Sequence, residues 1–153
     1  MTREEFAERA EGMIPALFRV CYSLLPAPED REDAVQGALL SAYESLAKLR
    51  EERYFQTWVI RILINECRAI ARGRARSSPS DAPERWAASE STDPALRDAL
   101  LALPARLRLP IVMHYMSGYT VREIAEALRV PEGTVKARMR RARRLLRIEL
   151  TEG

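Results

Sequence analysis

The sequence predicts an all-α protein, two small helical domains joined by a flexible linker. Three observations predict it. Apolar residues recur at helical spacing along most of the chain, whereas long period-2 runs and Asn-Gly or Asp-Gly turns are missing. Capping residues and prolines punctuate the helical stretches. Between residues 73 and 94 the composition switches to "GRARSSPSDAPERWAASESTDP", rich in Ser, Pro, Ala and charge and without periodicity. The expected division is a first domain over 1–73, a linker over 74–94 and a second domain over 95–153.

The elements follow in order. Thr2 followed by Glu5 reads as a capping box that opens a first helix. After Gly12 another helix is expected from near Pro15 to about Leu25, where Pro26 and Pro28 break the chain. Asp30 is placed to cap the next, with Asp33 in its first turn near the positive end of the dipole. Its apolar residues Ala34, Val35, Ala38, Leu39, Ala42, Tyr43 and Leu46 keep helical spacing. A long helix runs from about Phe55 to Arg72. The linker, with Trp86 as its one aromatic residue, reaches about 70 Å at roughly 3.3 Å per residue. Leu96, Leu100, Leu101 and Leu103 mark a helix from Ala95. A further one spans about Ala105 to Met116, kinked at Pro110, which cannot donate to the carbonyl of Arg106. Helices over Thr120–Leu128 and Pro131–Leu150 complete the second domain.

Composition narrows the function classes. The 153 residues carry a net charge of +3, unevenly placed. Residues 1–72 hold 10 basic and 12 acidic side chains, and residues 96–153 hold 12 basic and 6 acidic. A basic second half is suited to a polyanion. Two cysteines and one histidine cannot build a four-ligand zinc site, and Cys21 and Cys67 sit in apolar patterns as reduced core residues. With one His, no Gly-rich phosphate loop and no clustered acid pair, no catalytic residue, metal or cofactor is expected. His114, inside "IVMHYM", reads as structural. No run reaches the roughly 18 uncharged apolar residues of a membrane span, and the charged N-terminus lacks a signal peptide's apolar centre. The expectation is a cytoplasmic chain without membrane insertion, monomeric when free.

The stretch "GTVKARMRRARRLLR", residues 133–147, has seven Lys or Arg among fifteen. On a helical wheel Val135, Met139, Ala142 and Leu146 form an apolar stripe, opposite Ala137, Arg140, Arg141 and Arg144, with Lys136 and Arg147 flanking. Such a helix alone fits a solvated face, a membrane surface or nucleic acid. The preceding residues raise the specificity. "YTVREIAEALRVPEGTVKARMRRAR" reads helix, tight turn, helix, with Thr120 and Glu123 as capping box and Ile124, Ala125 and Leu128 inward. That is the helix-turn-helix layout, whose second helix enters the major groove N-terminus first. Lys136, Arg140 and Arg141 reach base edges or phosphates, and Ala137 allows close approach. Thr134 and Arg138 suit phosphates, and Arg122 suits the backbone from the first helix. Arg143, Arg144 and Arg147 supply salt-sensitive affinity.

"FQTWVIRILINECRAIAR" aligns Trp58, Arg61, Asn65, Arg68 and Arg72 on one side, with Val59, Ile62, Leu63, Cys67 and Ile70 on the other. The first set fits a nucleic-acid strand: cations on phosphate, a ring under a base, an amide on an edge. Pattern alone slightly favours a core tryptophan beside solvated arginines.

Four blocks in order then become informative together. "EDREDAVQGALLSAYESL", "YFQTWVIRILINECRAIAR", the linker, and "LALPARLRLPIVMHYMSGYTVREIAEALRVPEGTVKARMRRARRLL" resemble a bacterial RNA polymerase sigma factor of the extracytoplasmic-function (ECF) class over nearly the whole chain. The resemblance implies that residues 1–73 are region 2, which binds the polymerase clamp and melts the minus-10 element. It places Asp33, Gln36, Leu40 and Tyr43 against core RNA polymerase. It places Tyr54, Phe55, Trp58, Arg61 and Asn65 around an unstacked non-template base, with Arg68 and Arg72 continuing that face. Region 4, from about residue 95, would read the minus-35 element of promoter DNA through Lys136, Ala137, Arg140 and Arg141, with the linker spanning the polymerase. An anti-sigma factor that clamps both domains is also implied.

This chain departs from the family pattern at three places. Gly37 stands where an acid usually follows the Gln, Leu39 where Phe is common, and Arg129 where the turn usually has Gly. A left-handed conformation at Arg129 would cost roughly 1 kcal/mol. With the chain ending shortly after Leu150, no third regulatory domain is expected. A response regulator shares the "EIA…TVK" rhythm, but it needs a receiver domain with a parallel sheet, and the first half shows no strand signal.

Overall fold

A computed structural model describes residues 1–77 and 93–152, and the described residues are helical with no strand. Trp86 and most of the expected linker lie outside the described residues. The helices are α1 (Arg3–Leu24), α2 (Pro28–Glu44), α3 (Phe55–Ser77), α4 (Pro94–Ala102), α5 (Ala105–Ile111), α6 (Val121–Leu128) and α7 (Glu132–Glu152).

The Thr2 capping box forms: Thr2 Oγ1 accepts from Glu5 N–H, and Glu5 accepts from Thr2 N–H, each at 3.1 Å. From there α1 runs unbroken through Gly12 and Pro15, where a break is expected from sequence. An internal proline costs about 3 kcal/mol or more. Against that, Phe6, Met13, Leu17 and Val20 are all buried at helical spacing across the site. Burying a large apolar side chain is worth about 1.5–3 kcal/mol, so four outweigh the proline.

The α1–α2 corner is held by Arg31, which is 8% exposed. Its Nε donates to the Leu25 carbonyl at 2.8 Å and its Nη2 to the Pro26 carbonyl at 3.0 Å, while the guanidinium lies 4.8 Å from the Tyr22 ring centre. Helix α2 starts earlier than expected, with Pro28 in its first turn and no side-chain cap at Ala27. Asp30 is therefore not the cap. It is buried and accepts both guanidinium N–H groups of Arg74, at 2.9 and 2.7 Å. That fork explains why α3 continues past Arg72 into the stretch expected to be linker.

Along α2 the inward residues Ala34, Ala38 and Ala42 are small and fully buried, which lets α3 approach closely. Gly37 lies on the same packing face: a Cβ there would sit 3.1 Å from Glu66 Oε2. On α3 the deeply buried residues are Val59, Ile60, Leu63, Ile64 and Cys67. Ile62 and Ile70, expected inward, are only half-buried. Cys21 of α1 and Cys67 of α3 place their sulfur atoms 3.6 Å apart as buried free thiols. The hydrogen bond with Cys21 and then burial push the Cys67 thiol well above its usual range.

In the second domain Asp93 caps α4 by accepting from Ala95 N–H at 3.0 Å. Helix α5 loosens after Pro110 into a five-residue π turn, Val112–Met116. Proline removes one donor, and the ladder continues with a wider ring. His114 is structural: its Nδ1 donates to the Tyr119 carbonyl at 2.8 Å, and its ring meets Tyr115 edge-on. The Thr120–Glu123 capping box is present, and α6 ends with Arg129 at φ 58°, ψ 48°, the left-handed conformation. Helices α4, α5 and α6 all pack on α7 around Ile124, Val135, Met139 and Ala142. The two domains also pack on each other, α1 against α5 and the π turn, and α3 against α6.

Candidate nucleic-acid interface

Three exposed faces stand out, each made by the periodicity of one helix. The first is on α7. With Val135, Met139 and Ala142 buried, helical geometry turns Lys136, Ala137, Arg140, Arg141 and Arg144 outward, and all five are exposed. Thr134 and Arg138 are half-buried beside them. Among the described residues no carboxylate lies within ion-pair distance of Lys136, Arg140, Arg141 or Arg144. A cationic face without internal partners is what a phosphate backbone needs. Arg143 donates to the Tyr115 hydroxyl at 3.2 Å, and Arg147 is exposed further along. Arg122 is exposed on α6, 3.6 Å from Glu126 one turn on.

The second face is on α3. Asn65, Arg68 and Arg72 are exposed, Trp58 is half-buried, and Tyr54 precedes them on the surface with the Arg53 guanidinium 4.8 Å from its ring centre. Phe55 departs from the expectation. It is 2% exposed and packs edge-on to Phe6 at 5.7 Å, with Arg9 5.4 Å from its ring centre. A ring enclosed in this way has no face to offer a base; it supports Trp58, whose ring centre is 6.3 Å away. Beside Trp58 lies a groove of about 480 Å³, whose lining includes the cations Lys48, Arg50 and Arg61, the carboxylates Glu51 and Glu126, and Tyr54. Lys48 and Arg50 are groove residues that the sequence reading did not single out. They stand in the irregular segment between α2 and α3, where no period marks a face.

The third face is on α2. Asp33, Gln36, Leu40 and Tyr43 fall at i, i+3, i+7 and i+10 and are all exposed, Leu40 at 60%. A large apolar side chain held out in this way, next to Tyr43, suits a protein partner.

Arg61 is set apart from the rest of its stripe. It is half-buried between the domains, and its Nη2 donates to the Glu126 carbonyl in the last turn of α6 at 2.6 Å. A cation there faces the negative end of the helix dipole. Its Nε is buried without a hydrogen bond among the described residues. Burial, then the Arg129 charge, lower its pKa, against a smaller opposing pull from Glu126. A hydrogen bond to a charged group is worth about 1.5–3 kcal/mol, and a buried donor without a partner costs about 1–3 kcal/mol. The two nearly cancel, so the contact orients the domains with little net stabilisation. Arg19 of α1 makes a second bridge, its Nε donating to Ser117 Oγ at 3.0 Å. Arg108 of α5 is 8% exposed near Tyr22 of α1.

The comparisons with known proteins point to one family. Residues 11–77 match the family model for Sigma-70 region 2, and residues 94–146 match that for Sigma-70 region 4. The chain is 39% identical over 129 residues to the ECF RNA polymerase sigma factor SigM of Mycobacterium tuberculosis, covering 78% of this chain and 64% of SigM. It is 32% identical over 134 residues to the ECF RNA polymerase sigma-E factor of Escherichia coli, covering 74% of this chain and 70% of that protein. Among solved structures it resembles the sigma factor RpoE of Bartonella quintana, crystallised with the anti-sigma factor NepR. The TM-score is 0.80 at 27% identity, over 97% of this chain and 98% of that one.

Proposed function

The chain belongs to the ECF class of bacterial RNA polymerase sigma factors, and from that membership we propose that it joins core RNA polymerase and directs promoter-specific initiation. The observation that carries the reading is the pair of DNA-suited faces, one on each matched region: the cationic face of α7 and the Trp58 face of α3. In this reading residues 1–73 form the minus-10 domain and residues 95–153 the minus-35 domain. On α7, Lys136, Arg140 and Arg141 meet base edges or phosphates, with Ala137 giving close approach to a thymine methyl. Thr134, Arg138, Arg144 and Arg122 hold the backbone. On α3, Trp58 stacks a base displaced into the groove beside it, with Tyr54 in the groove wall and Arg61, Asn65, Arg68 and Arg72 along the strand. Unstacking a base costs a few kcal/mol, and stacking on an aromatic ring returns about 1–3 kcal/mol. The α2 stripe of Asp33, Gln36, Leu40 and Tyr43 docks on polymerase.

This role is that of a transcription initiation factor rather than an enzyme, and it places the chain in the cytoplasm with polymerase. Among the described residues no helix is long and apolar enough to cross a membrane. The test is run-off transcription with core enzyme and genomic fragments. Discrete transcripts that start only when the chain is added are expected, and their absence overturns the reading. An anti-sigma partner, of the kind that RpoE of Bartonella quintana has in NepR, is proposed to hold the chain inactive. Co-purification from uninduced cells checks it.

A further inference from the structure

We propose that Glu66 of α3 belongs to the polymerase-docking face of α2: it reaches over the bare backbone of Gly37 and presents its carboxylate to a lysine or arginine of core RNA polymerase. The inference rests on the reading of α2 as the docking helix and adds to it a residue from another helix. At 3.6 residues per turn, position 37 falls about 40° round α2 from Asp33 and about 60° from Leu40, on the edge between the exposed stripe and the face packed on α3. A side chain there would complete that edge, and glycine supplies none. The space is taken by α3. A Cβ at 37 would lie 3.1 Å from Glu66 Oε2 and 4.0 Å from Oε1, so both carboxylate oxygens rest where a side chain of α2 would start. Gly37 and Glu66 are both half-buried, as such an edge requires. Glu66 thus stands in for the acid that this chain lacks at 37.

The carboxylate has no internal partner: among the described residues no cation lies within ion-pair distance of Glu66. Partial burial of a charge costs free energy, and a cation on a partner offsets that cost. Its surroundings are of one sign. Glu32, Asp33 and Glu44 are exposed on α2, and the one basic residue of that helix, Arg31, is turned inward to the Leu25 and Pro26 carbonyls. Leu40 and Tyr43 stand exposed among these acids. By charge complementarity, such a face fits a partner surface with an apolar recess bordered by Lys or Arg. Because Glu66 is rooted in α3, its contact ties polymerase directly to the helix that carries Trp58.

The experiment titrates the full chain, labelled with fluorescein at its N-terminus, with core RNA polymerase and reads anisotropy at low and at high salt. The versions are unaltered, Leu40→Ala, Glu66→Gln, and Gly37→Glu combined with Glu66→Gln, which moves the carboxylate from α3 to α2. Circular dichroism and the denaturant midpoint check that each is folded. Leu40→Ala tests the docking reading and is expected to weaken binding at both salts. Glu66→Gln, nearly the same shape, is expected to weaken it by about fivefold at low salt, the upper end for one charge pair near a surface, and by less at high salt. The double substitution is expected to recover most of that loss. Unchanged affinity of Glu66→Gln beside a weakened Leu40→Ala overturns the proposal and leaves the docking reading standing. A loss in Glu66→Gln that is equal at both salts, or that a folded double substitution does not recover, makes Glu66 a packing residue and overturns the proposal likewise. If the double substitution does not fold, the salt dependence of Glu66→Gln decides alone. No binding by the unaltered chain, or no loss with Leu40→Ala, overturns the docking reading itself.

Discussion

At the scale of single residues, Arg129 shows how a sequence departure becomes a measurable strain. The turn of the helix-turn-helix needs a left-handed residue, and this chain meets it with an arginine at φ 58°. Val130 N–H donates to the Ala125 carbonyl at 3.1 Å, the bond that fixes such a helix end. Arg129→Gly is therefore expected to stabilise the protein by about 1 kcal/mol, read as a higher denaturant midpoint. It also removes the like charge beside Arg61. The need for a special conformation at 129 was legible through the family resemblance, in which the turn usually has Gly where this chain has Arg129. The burial of Phe55 was not legible. Tyr54, Phe55 and Trp58 are three aromatic residues within five positions, and only the packing of Phe6 and Arg9 separates the core ring from the surface rings.

At the scale of elements, helix ends were legible where a side chain caps them, as at Thr2 and Thr120, and misplaced where packing decides. Asp30 has the chemistry of a cap, but the ion pair with Arg74 claims it, a contact across 44 positions that no local pattern contains. Pro15 looks like a break, and burial on both sides carries α1 through it. Gly37 is an element-scale feature too. It sits inside α2 facing Glu66 of α3, so the family's acid there would set two carboxylates against each other. Gly37→Ala is expected to stabilise by about 0.5–1 kcal/mol, since the 3.1 Å neighbour is the free end of a flexible side chain. Gly37→Glu is expected to destabilise and to be rescued by Glu66→Gln. Chemical denaturation of the double-mutant cycle measures both.

At the scale of the whole molecule, the charge split between the two halves of the sequence foretold which domain carries the larger cationic face. Binding of promoter DNA by the assembled polymerase holoenzyme should separate that face by role. Arg144→Ala is expected to lower affinity similarly on all sequences and to flatten the log affinity against log salt slope by about 0.9. Lys136→Ala or Arg140→Ala is expected to cost about 1–3 kcal/mol on the preferred sequence and to relax discrimination. Anisotropy titrations at several salt concentrations check both. The packing of one domain on the other was beyond sequence reading, because Arg61 and Arg19 each have a complete explanation as solvated charges within their own helices.

The seam beside Trp58 has a practical consequence. The chain holds two tryptophans, and the other is Trp86. With Trp86→Phe, all indole light would come from a ring half-sheltered beside Glu126 of the opposite domain. Emission colour and iodide quenching would then track the seam in real time, so the protein carries its own optical gauge and can be watched with no dye attached.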